Sequence, residues 1–81
     1  MRAVLTVIGK DHVGILSKVA NQCAESNANI IEVTQTVLQD LFCMIMMIDI
    51  SEVNCEMSEL VYQMNRLGEE SGLSIHVMHC L

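Results

Sequence analysis

The stretch GKDHVGIL, Gly9 to Leu16, sets Lys10, Asp11 and His12 between two glycines, after a strand-like run and before a helical pattern. Side chains of these types at such a junction can cradle a phosphate, move a proton, bind a metal or seat a small zwitterion. The phosphate reading starts from Gly9 and Gly14, which match G-x-x-x-x-G. The next residues are Ile15 and Leu16, so the lysine and the magnesium-binding hydroxyl of a nucleotide loop are missing. Phosphoryl transfer would favour an arginine fork, and the loop offers only the point charge of Lys10. His12 has a near-neutral intrinsic pKa suited to acid–base work, yet no nucleophile or orienting partner is identifiable beside it. A solvent-facing loop histidine is the plainer reading, and an enzyme resting on His12 and Lys10 ranks third among the functions weighed.

Metal chemistry fares no better. The chain has no C-x-x-C. In HVMHC, His76 and His79 fall on opposite faces of a strand, and His76 and Cys80 lie ~13 Å apart at ~3.3 Å per residue. One tetrahedral ion with bonds of ~2.0 to 2.3 Å cannot take them together, so no metal and no cofactor is expected. Met44, Met46 and Met47 read as gap-filling core residues rather than soft-metal ligands. Cys23, Cys43, Cys55 and Cys80 are expected as reduced thiols behaving as small apolar side chains.

A carboxylate seat remains. A loop entering a helix presents unpaired N–H groups and the positive end of the helix dipole. Gly14 leaves room for a close approach, and Asp11 is an acceptor for an ammonium group, a combination that suits a free amino acid. The competing reading makes Asp11 a helix cap and Gly14 a turn residue; on these residues alone it is the stronger of the two.

The elements that must position this loop follow from periodicity. Arg2 to Ile8 is rich in β-formers and stops at Gly9. From Gly14, Leu16, Val19, Ala20, Cys23 and Ala24 recur at helical spacing, ending in SNAN, where Asn27 or Asn29 tolerates the dihedrals of a helix end. Ile30 to Leu38 alternates, with Ile31, Val33 and Val37 on one face and Glu32, Thr34 and Thr36 on the other, as in a half-buried strand. After the tight connection QDL, Phe42 to Ile50 is apolar on both faces and reads as a central strand. Cys55 to Glu70 is an amphipathic helix with Met57, Leu60, Val61, Met64 and Leu67 on its apolar side. Gly72 stops it, and Ser74 to Cys80 is the last strand. The order β-α-β-β-α-β predicts an α+β, ferredoxin-like sandwich: a four-stranded antiparallel sheet with both helices on one face, strands one and three central.

Bulk properties bound the function. With 81 residues the chain is expected to be one domain, 1–81, burying only ~60% of its unfolded surface, while 52% of its residues are hydrophobic. That excess points to coverage by a second copy. A net charge of −6 with scattered basic residues disfavours nucleic acid and anionic membranes. The only aromatics, Phe42 and Tyr62, make no base-stacking platform. The longest apolar run, Leu41 to Ile48, is too short to span a bilayer, and no secretion signal is read, so a cytoplasmic location is expected.

Asp11, Gly14 and Leu16 form D-x-x-G-x-L after a strand ending in Ile8-Gly9, and in this the chain resembles the ACT domain, the ferredoxin-like regulatory module of amino-acid metabolism. TVIGKDHVGILSKVA and NIIEVTQTVLQDLFCMIMMIDI look most like stand-alone single-ACT proteins of bacteria and archaea, and are similar to the ACT halves of the glycine-cleavage-system repressor. The resemblance implies a non-catalytic regulator that binds an amino acid at a homodimer interface formed by the edges of strand two, and signals to a partner protein. It nominates Asp11, Val13 and Gly14 in the loop, and Asn29 and Ile30 at the start of strand two, as ligand-binding residues. Val13 stands where many ligand-binding members carry proline, and Asp11 where some carry asparagine. The alternative is a ligand-free dimerisation or protein-interaction module.

Overall fold

The computed structural model describes residues 1–10 and 14–80. Its elements are β1 (Arg2–Gly9), α1 (Ile15–Glu25), β2 (Asn29–Leu38), β3 (Leu41–Asp49), α2 (Met57–Ser71) and β4 (Ser74–Cys80). The sheet is antiparallel in the order β2-β3-β1-β4, so β1 and β3 are central and β2 and β4 form the edges. This is the ferredoxin-like βαββαβ sandwich expected from the sequence.

Alternation of side chains sorts each strand between two faces. Ala3, Leu5 and Val7 of β1, Phe42, Met44, Met46 and Ile48 of β3, and Ile75 of β4 point under the helices and are buried. Ile15, Val19 and Cys23 of α1 and Leu60 and Met64 of α2 close the core from above. The apolar face of α1 is thus turned from the one the sequence suggested. Ile15 is buried, whereas Leu16 is 40% exposed and Ala24 is exposed, because the helix begins at Ile15 and its i, i+4, i+8 row meets the sheet.

β2 departs from the expected half-buried strand. A bulge between Ile30 and Glu32 breaks the alternation, leaving Ile31 exposed while Ile30 and Val33 pack against the core. Val37 and Leu38 are about 60% exposed at the end of the β2–β3 hairpin. The turn at Gln39 and Asp40 is tight, with Gln39 at φ 57°. Met47 is a second correction: it lies on the sheet face away from the helices and is only half-buried, unlike Met44 and Met46.

The ends of the helices are tied to the sheet by specific contacts. At the end of α1, Asn27 takes φ 59° and the Ala28 N–H bonds to the Cys23 carbonyl at 2.8 Å. Ser26, the one buried polar residue among those described, accepts from Gln22 and donates its hydroxyl to Gln63 Oε1 at 3.0 Å, joining α1 to α2. α2 ends at Gly72, and the Leu73 N–H reaches the Gly68 carbonyl at 2.8 Å. Gly68 is required by this return: a Cβ there would stand 2.8 Å from the Leu73 carbonyl oxygen.

Candidate functional site

The described residues include both ends of the loop between β1 and α1. Gly9 is buried, and a Cβ on it would collide with Leu73 Cδ2. Gly14 is exposed at φ 75°, ψ 4°, and is the N-cap of α1, its carbonyl accepting from the Lys18 N–H at 3.0 Å. Among the described residues, no side chain caps this helix end, and no acidic residue sits in the first turn of the helix. The first N–H groups of a helix have no carbonyl partner within it. Among the described residues, a Cβ at Gly14 would meet nothing within 4 Å, so glycine is needed there for its left-handed backbone. Asp11, His12 and Val13, which carried the sequence-level readings of cap, base and ligand contact, lie outside the described residues.

Asn29 and Ile30 lie elsewhere. Asn29 is exposed at the start of β2, paired with Asp49 at the end of β3. Ile30 is half-buried and packs against the core. Asn29 lines a cleft of about 290 Å³ with Asn27, Asp49 and Glu52, near the low end of the ~300 to 1,000 Å³ usual for small-ligand pockets.

The walls of this cleft are fixed by the connection from β3 to α2. Asn27 donates its amide to the Glu52 carbonyl at 2.8 Å, Asn54 donates its amide to the Glu25 carbonyl at 2.9 Å, and the Asn54 N–H reaches the Ser26 carbonyl at 3.1 Å. These bonds clamp residues 51–54 to the end of α1. The Asp49 carboxyl is held below its usual range by hydrogen bonds from the Ser51 hydroxyl and N–H, aided by the Met1 ammonium 3.9 Å away. It is thus an ionised acceptor at neutral pH. A cleft with two amides and two acidic residues suits a ligand that brings hydrogen-bond donors, an ammonium group among them. Among the described residues, no cluster of His, Cys, Asp and Glu is placed to hold a metal ion. Sequence reading named Asn29 but neither Asp49 nor Glu52 as a candidate; only the strand register sets Asp49 beside Asn29.

Gly14 and Asn29 do not meet within one chain. They bracket α1, which spans 11 residues, or about 16 Å at ~1.5 Å per residue. Gly14 lies at the sheet end marked by the pair Gly9 and Phe42, Asn29 at the end marked by Arg2 and Asp49. The two nominated half-sites are therefore at opposite ends of the molecule.

Comparison with known proteins agrees with this architecture. The ACT domain family profile matches residues 2–78. A UPF0237 protein of Listeria innocua is 49% identical over 77 residues, covering 95% of this chain and 86% of its own. One from Methanococcus maripaludis is 43% identical over 76 residues, covering 94% and 84%. Among solved structures, an ACT domain protein from Streptococcus pneumoniae superposes with a TM-score of 0.87 at 31% identity, covering 96% of this chain and 88% of that one. A glycine cleavage system transcriptional repressor shares the fold, with a TM-score of 0.81 at 23% identity over 99% of this chain and 45% of that one. No described helix is long and apolar enough to cross a membrane. The match along nearly the whole length, from sequence and from structure, means that this chain belongs to the ACT domain family.

Proposed function

We propose that the protein is a non-catalytic, cytoplasmic regulator that binds a free amino acid in two equivalent sites of a homodimer and passes the signal to a partner protein. The observation that carries this reading is the separation of Gly14 and Asn29. β2 is an edge strand, and two copies pairing antiparallel through that edge run Asn29 to Leu38 of one beside Leu38 to Asn29 of the other. The Asn29 end of one copy then adjoins the Gly14 end of its partner. The free N–H groups at the start of α1 suit the ligand carboxylate, and the cleft of Asn27, Asn29, Asp49 and Glu52 suits its ammonium group. Asp11 and Val13 belong to the same proposed loop contact. Ile30, next to Asn29, is the second proposed contact at the start of β2.

The edge argument has independent support in exposure. Ile31, Val37, Leu38 and Leu41 all expose apolar surface along or beside β2, where a second copy would cover it. The same exposure also favours the second reading, a dimerisation module without a ligand. A thermal-shift screen against the twenty amino acids separates the two. A ligand present at ~100 times its Kd stabilises the native state by ~2.7 kcal/mol, and with ~4 to 8 °C per kcal/mol for a domain of this size the melting point rises by roughly 10 to 20 °C. The shift is expected to vanish in both Gly14→Val and Asn29→Ala, each melting cooperatively without ligand. No shift with any amino acid, from a protein of dimer mass, selects the ligand-free module.

A further inference from the structure

The far edge of the sheet is β4, and nothing in its own sequence blunts it. Ser74 to Cys80 pairs with Ile8 to Arg2 in unbroken register, without a bulge, and its seven residues include no proline, glycine, lysine, arginine or carboxylate. These are the devices by which natural edge strands are kept from pairing. Antiparallel pairing engages alternate residues of an edge strand, and the others turn their N–H and C=O groups outward. Among the described residues, no backbone group beyond β1 bonds to β4. α2 lies on one face of β4, with Gly68 so close that a Cβ there would stand 3.3 Å from Ile75 Cγ1.

We propose that the β4 edge takes an extended, cationic segment of the partner protein as a fifth strand, and so is the output surface of the regulator; this rests on the homodimer reading given above. The shape of the occupant follows from the edge. A row of alternate N–H and C=O groups is matched along its length by another extended backbone, whose main-chain bonds supply affinity while alternate side chains set specificity. That the occupant is a different protein follows from symmetry. With β2 pairing two copies about one two-fold, a copy at β4 would add a second two-fold four strands away, about 19 Å at ~4.8 Å per strand. Two-folds that do not meet generate an open-ended array rather than a closed oligomer. The dimer thus keeps a β4 edge for a partner at each of its two ends.

Charge and alternation describe the segment further. Gln63 faces α1 through its bond with Gln22, which places Val61, Asn65 and Glu69 on the side of α2 turned toward the β4 edge. Glu69 is exposed and, among the described residues, has no ion-pair partner. No basic residue sits in the last turn of α2, where the helix dipole is negative. On a chain of net charge −6, both features favour a segment that carries lysine or arginine. Half-buried Val77 on the helix side and exposed Met78 on the other give each face of the added strand an apolar neighbour.

The probe is a short synthetic peptide alternating valine and lysine, with a counterpart carrying glutamate for lysine, and amide hydrogen exchange followed by NMR reads the site. The lysine peptide is expected to slow exchange about 10-fold at alternate residues of β4, leaving β2 and the open sheet face unchanged. The glutamate peptide is expected to leave β4 unprotected. Glu69→Lys, an exposed change, is expected to weaken the lysine peptide about fivefold and to admit the glutamate peptide in its place. No protection at β4, protection at β2 instead, or equal protection by both peptides overturns the proposal. Mass and amino-acid response are read on the same sample. If the protein is a dimer that responds to an amino acid while β4 stays unprotected, the docking surface alone falls; if the mass is that of one chain, the homodimer reading falls and takes the symmetry argument with it.

Discussion

Gly14 meets two requirements with one missing atom. Its φ of 75° lies in the left-handed region, and no described residue stands within 4 Å of where a Cβ would be. The cost of a substitution is therefore conformational rather than steric. Gly14→Ala is expected to lower stability by ~1 to 2 kcal/mol in urea unfolding, the cost of holding an L-residue in that region. Cys23 makes a different statement. Burial pushes its thiol from an ordinary 9.0 up to about 11. The folded state keeps the proton while the unfolded chain loses it, so this contribution to stability is complete below pH 9 and is lost as pH rises toward 11. Urea midpoints measured between pH 9 and 11 are expected to fall less steeply in Cys23→Ala than in the wild type.

Among the elements, α1 offers the sharpest contrast between pattern and packing. Ile15 and Leu16 are adjacent and both apolar, but the first is 3% exposed and the second 40%. Ile15→Ala is expected to cost ~2 to 5 kcal/mol, the range for truncating a core aliphatic residue, and Leu16→Ala less than ~1 kcal/mol in the isolated chain. Equal costs would mean that the helix sits on the sheet with a different face. The sequence pattern could not choose between these two residues, because both fit an apolar stripe of ordinary width. β2 shows the same limit. Its alternation suggested one buried face, but the bulge after Ile30 lets Ile30 and Val33 share the core and turns Ile31 out. A bulge has no clear signature in this stretch: it is rich in β-branched residues and includes no glycine.

At the scale of the whole molecule, the excess of apolar residues is resolved into two places, the β2 edge with its hairpin end and the open sheet face. Val37→Glu, 59% exposed on the hairpin, is expected to break the proposed edge pairing and halve the mass read by light scattering; an unchanged mass would mean that copies do not pair through this edge. The ligand argument also belongs to this scale, since neither Gly14 nor Asn29 gains anything from the other within one chain.

The order of elements, both central strands, the Gly72 stop and the last strand were legible from local signals, because a period of two or of 3.6 and a turn residue act within a few positions along the chain. D-x-x-G-x-L likewise identified the family without any structure. Tertiary structure alone decided which residues meet across the sheet. Asp49 comes beside Asn29 through strand register, and Glu52 joins them through the Asn27 and Asn54 hydrogen bonds. Each of these depends on pairing between residues distant in sequence, and no local preference in the chain encodes that pairing.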